Sequence, residues 1–241
     1  MKRTLIASII AAGFIHSAAA SVVYNDTITY INGSGNPNTD WVSDAENGIL
    51  LGIRADNRTT GATPNNGAGV YNFLPGNVGT GSHARADWNY QFTINSDPAN
   101  GSVKLNAYDY YLTLSVNGGP ASAPVNVLTT FSDSTYGDNT SSQGHNVVIG
   151  TPATDGALGA AWNVAANSES ITFLGDPNNG GIYRFDFYAT AAGAGADGAK
   201  VDEVRMQVNV VPEPATIISG VMLLLPFGAG AMRKLRGGRA A

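Results

Sequence analysis

The sequence predicts an all-β protein, an antiparallel β-sandwich preceded by an N-terminal signal helix and followed by a single C-terminal transmembrane helix. Three observations point there. Large apolar residues alternate with polar ones in several stretches, the period of a strand with one face buried. Glycine and asparagine supply 24 and 23 of the residues between positions 21 and 210, and both favour turns and left-handed backbone over helix. Within the same span no stretch carries a helical stripe.

The chain opens with Met1, Lys2 and Arg3, then an apolar run over 5–15, then Ala18, Ala19 and Ala20. Positive charge, a short apolar run and small residues make a secretory signal peptide, with cleavage expected after Ala20 and a leader spanning 1–20. Such a run reaches only ~16 Å as a helix, short of a bilayer core of about 30 Å.

Residues 21–210 form one domain of a size that buries its own core. Trp88, Tyr90, Phe92 and Ile94 occupy alternate positions of 87–95, the pattern of a half-buried strand. Similar alternation covers 22–31, 108–116, 182–189 and 201–210, with shorter strands at 49–53, 125–131, 146–149 and 171–174. Residues 40–47 read as a turn or two of helix. The last pair is the clearest unit: Tyr183, Phe185 and Phe187 share one face, Val204, Met206, Val208 and Val210 share another, and 191–199 is the hairpin loop. Strands with polar outer faces fit a jelly-roll or an immunoglobulin-like sandwich, and both stay open.

Beyond this domain, 211–241 carries three elements in order. Val211, Pro212, Glu213 and Pro214 (211–214) precede an uncharged span, 215–232, and then a basic end, 233–241, with Arg233, Lys234, Arg236 and Arg239. The span covers ~27 Å as a helix, enough to cross a bilayer with slight thinning. The basic residues after it place the extreme C-terminus in the cytoplasm and the rest outside. A Pro-Glu-Pro motif, one apolar span and a short basic end, in a chain with a signal peptide, resemble the PEP-CTERM sorting signal of Gram-negative bacteria. That resemblance implies recognition of Pro212, Glu213 and Pro214 by a membrane-embedded exosortase and removal of the tail near the motif. It also implies export through the inner membrane, a transient anchor, and then residence in the envelope or extracellular matrix, in the context of exopolysaccharide and biofilm. A plain single-span anchor is the alternative.

Trimming both ends changes the charge. Seven Lys and Arg face seventeen Asp and Glu in 21–210, near −10, against −5 for the whole chain. So acidic a body repels phosphate backbones and excludes nucleic acid as a partner. There is no cysteine, so neither a disulfide nor a thiolate site is available.

Chemistry-bearing motifs are sparse. With His16 in the leader, His83 and His145 are the remaining histidines, and no serine stands in a G-x-S-x-G elbow. The residues 193–198 fit G-x-G-x-x-G, but a strand follows where a helix N-terminus is required, so the stretch reads as a hairpin loop. The domain is accordingly expected to be non-catalytic, without cofactor. Asp97-Pro98-Ala99-Asn100-Gly101 and Asp176-Pro177-Asn178-Asn179-Gly180 read as turns. Asp97, Asp176 and, in the loop 133–146, Asp133 and Asp138 are the candidates for Ca²⁺. Trp88 belongs to an alternating strand and is read as core. Trp41 and Trp162 lie in less regular segments and are the candidates for stacking on sugar rings, with simple packing as the alternative. A carbohydrate-binding module or glycan-active enzyme of the same matrix is therefore the second functional reading.

Overall fold

The computed structural model describes residues 22–28, 38–78, 85–142, 145–151, 153–170 and 180–211. The predicted signal helix, the span 215–232 and the strand at 171–174 lie outside the described residues.

The fold is all-β, in two main sheets with little helix. Its strands are β1 (Val23–Asp26), β2 (Trp41–Glu46), β3 (Ile49–Asn57), β4 (Gly61–Ala62), β5 (Val70–Phe73), β6 (Asn77–Val78), β7 (Arg85–Ala86) and β8 (Trp88–Asn95). They continue with β9 (Tyr108–Val116), β10 (Val125–Asn126), β11 (Thr135–Gly137), β12 (Val148–Ile149), β13 (Val164–Glu169), β14 (Gly181–Ala191) and β15 (Lys200–Val210). The first sheet runs β1-β2-β3-β8-β13-β11-β12, with β4 beside β3; the second runs β10-β9-β14-β15-β5; β6 and β7 pair separately. Among the described residues all pairings are antiparallel but one: β5 joins β15 in parallel, which makes the second sheet mixed rather than purely antiparallel.

The sheets meet through aromatic side chains in step. Along β8, Trp88, Tyr90 and Phe92 contact Tyr183, Phe185 and Phe187 of β14 at ring separations of 5.4, 5.1 and 5.7 Å. Phe73 of β5 stacks on Trp88 at 5.7 Å with the rings 2° from parallel. A period of two on each strand lets every second residue meet a partner on the other sheet. Each such pair adds about 0.5–1.5 kcal/mol beyond its buried area. The alternation over 182–189 and 201–210 thus sets the core as expected, and the register holds Phe185 opposite Met206.

Three local expectations change. Residues 40–47 are strand β2, not helix: Asn47 and Gly48 have φ of 50° and 80°, the two left-handed positions of a tight hairpin turn that joins β2 to β3. Residues 125–131 hold only two strand residues before a helical turn, α1 (Val127–Thr130), whose Asn126 cap accepts from the Leu128 N–H. A second helix, α2 (Asp155–Ala161), occupies a stretch whose two glycines and lack of stripe disfavour helix.

Nor is β8 half-buried; every one of its residues is buried. Its outer face lies under a polar layer. Arg54, fully buried, donates through Nε and Nη2 to Gln91 Oε1 at 2.9 and 2.6 Å and through Nη1 to the Thr39 carbonyl at 2.7 Å. Gln91 Nε2 donates to Asp56 at 2.8 Å, and the guanidinium sits 4.5 Å over the ring of Trp41. Gly52 makes room for this layer: a Cβ there would stand 2.6 Å from Ile28 Cδ1 and 2.7 Å from Thr93 Cγ2.

Candidate functional site

Val211, the first residue of the predicted sorting motif, is half-exposed, and its N–H donates to the Phe73 carbonyl at 3.0 Å. The β5–β15 ladder therefore extends to Val211. Pro212, Glu213, Pro214, Arg233, Lys234, Arg236 and Arg239 lie outside the described residues. Among the described residues, no helix is long and apolar enough to cross a membrane.

Trp41 is not a sugar platform. It is 1% exposed, because the strand that carries it turns its ring under Arg54, and the guanidinium occupies the face a sugar would need. Trp88 is core, as its alternation predicts. Trp162 is half-buried against the main core, just past the end of α2, and its carbonyl accepts from the Leu105 N–H at 3.0 Å.

Asp97 and Asp138 are occupied by their own loops. Asp97 accepts from the Asn100, Ser102 and Val103 N–H groups at 3.0, 2.7 and 3.2 Å and from the Ser102 hydroxyl at 2.7 Å. The Ser102 hydroxyl and then the Asn100 N–H hold its carboxyl well below the usual range. Gly101 takes φ 69°, so the stretch is the turn the sequence predicts. Asp138 accepts from the Thr140 hydroxyl and N–H at 2.6 and 2.8 Å, and these lower its pKa, the hydroxyl foremost. Asn139 links the two loops, donating to the Asp97 carbonyl at 3.0 Å and accepting from Asn95 and Asn163 at 2.9 and 2.7 Å. Amide groups thus hold the two loops together. Asp133 is exposed with φ 64°, and Asp176 lies outside the described residues. Among the described residues no three metal-ligating side chains gather.

A groove of about 170 Å³ opens between β9, α1 and α2, lined among others by Asn106, Tyr108, Asp109, Asn126 and Thr129. No single stretch of sequence announces it, since its wall comes from separate pieces of chain. It offers an aromatic face, amide and hydroxyl groups and a carboxylate, with no basic side chain in its lining. Asp155 lies at its back, buried, with its pKa raised by that burial against a smaller lowering from the Tyr136 hydroxyl. On the first sheet, Glu169 stands opposite Tyr90 in register, and burial pushes it up to about 7, helped by Asp133 and opposed by Arg58.

Compared with family models, curated proteins and solved structures, the chain matches none.

Proposed function

We propose that this chain is a non-catalytic exported protein of the cell envelope or extracellular matrix, carried to its place by a tail that an exosortase reads and removes. The observation that carries this reading is the order of segments: leader, acidic β-domain, Pro-Glu-Pro, uncharged span, basic end. The ladder that runs to Val211 supports it, because cutting just beyond would release a domain with its last strand intact. The passage of the chain back and forth between sheets, from β3 to β5, β8, β9, β13 and β14, supports a jelly-roll arrangement over an immunoglobulin-like one. Mass spectrometry of the surface form is expected to find a C-terminus at or near Pro212 to Pro214, and Glu213→Ala is expected to leave uncut precursor in the membrane. Recovery of Arg239 from the surface form would refute the proposal.

The groove favours a second reading, glycan binding, since a tyrosine face beside amide, hydroxyl and carboxylate groups suits a sugar's apolar face and hydroxyl rim. A glycan-array screen is expected to give hits that Tyr108→Ala abolishes; hits unchanged by that substitution would place binding elsewhere.

A further inference from the structure

At the opposite end of the domain from Val211, two carboxylates point between the sheets. On β15, Asp202 is in phase with Val204, Met206, Val208 and Val210, and it is 2% exposed. On β2, Asp44 is in phase with Val42 and is 7% exposed. The strands come together here, and the tip of the β2–β3 hairpin is tied to the start of β15 by Asn47 Nδ2, which donates to the Val201 carbonyl at 2.7 Å.

Neither side-chain oxygen of Asp202 has a hydrogen-bond partner. The backbone N–H groups of Glu203 and Glu46 face it without reaching hydrogen-bond geometry. Asp44 accepts from the Ala45 N–H at 2.9 Å. The other charged group facing Asp202 from β2 is Glu46. From β3 come Ile49 and Leu51, and the β14 residue opposite in register is Ala189. Lys200 does not compensate: it is ion-paired to Glu203 and lies 4.3 Å over the Tyr188 ring on the outer face. An ionised carboxylate in such a place is costly, and two facing the same space repel. A proton or a cation resolves this. Ca²⁺ takes six to eight oxygen ligands, whereas two carboxylates gather here and no third metal-ligating side chain joins them among the described residues.

We propose that Asp202, buried without a partner beside Asp44, holds a proton in the folded protein, so that the hairpin end of the sandwich stays packed at acid to neutral pH and loosens when Asp202 ionises. Burial, and then the charge of Asp44, push Asp202 up to about 7; burial raises Asp44 too. A carboxyl whose folded pKa is raised binds its proton more tightly folded than unfolded. Its effect is most favourable below the ordinary carboxylate range and is lost as pH rises toward about 7, after which the curve levels.

Carboxyl ¹³C NMR of the full-length chain tests this directly, with an expected Asp202 midpoint near neutrality. A midpoint near that of an ordinary aspartate, about 4, would overturn the proposal. In thermal melts, the midpoint is expected to fall by several degrees from about pH 5 to about pH 9, and Asp202→Asn to reduce that fall. Glu169 contributes to the same window, so Asp202→Asn is read on a Glu169→Gln background. An undiminished fall, or a midpoint at high pH that Ca²⁺ raises and EDTA lowers again, would also overturn it. The NMR titration uses the native side chains and stands even if the variant does not fold.

Discussion

On the second sheet, β14 and β15 turn Arg184, Asp186, Arg205 and Gln207 toward water; on the first, β3 and β8 turn Arg54, Asp56, Gln91 and Thr93 into a dry layer. Both faces are polar and both are hydrogen-bonded. The wet one carries a chain of side chains from Arg184 to Gln207, Asn209 and Asn72, at 3.0, 2.8 and 3.0 Å. In the dry one, Arg54 donates to Gln91 and to the Thr39 carbonyl and lies over the Trp41 ring. Alternation in a strand therefore specifies which residues share a face and not whether that face is wet. The same bond lengths also carry very different energies, since losing a partner matters most where water cannot replace it.

The largest expected break in this comparison is Arg54→Ala, which strands Asp56 and Gln91 in the dry layer and should cost about 3–5 kcal/mol in a denaturant melt. A loss below about 1 kcal/mol would mean that water enters the layer freely. Next comes Gly52→Ala, which must push Ile28 or Thr93 aside and should cost about 1–3 kcal/mol, or a few degrees in Tm by thermal melt; an unchanged Tm would show that the cover yields. Smallest is Arg184→Ala on the wet face, expected within about 0.5 kcal/mol of the parent. A larger loss there would mean that its network with Gln207 is ordered enough to count.

How much of this was readable depends on where the causes lie. Tyr108–Val116, Trp88–Asn95 and the β14–β15 pair follow from their own alternation. The β2–β3 hairpin was also legible, because Asn47-Gly48 is a strong turn signal, yet Trp41 and Val42 side by side spoil the period of two. Their adjacency makes sense only once Arg54 is seen to cover one face of β2 while the core covers the other. Asp202 sat in phase with Val204 and Met206 and could have been read as inward-facing from its position alone. Its unmet carboxylate could not, because Asp44 approaches from a distant part of the chain. The groove beside Tyr108 was illegible for the same reason, and the short helix α2 forms despite Gly156 and Gly159.

The placement of β15 has a mechanical consequence. It is not an edge strand: β14 pairs along one side and β5 along the other, and the ladder reaches Val211. A pull applied through residues beyond Val211 runs along the strand axis, so the hydrogen bonds on both flanks resist together in shear instead of opening one by one. Rupture under such load is set by an unfolding rate and not by equilibrium stability. A force probe attached after Val211 is expected to load β15 in shear, while one attached at the exposed edge strand β1 would peel.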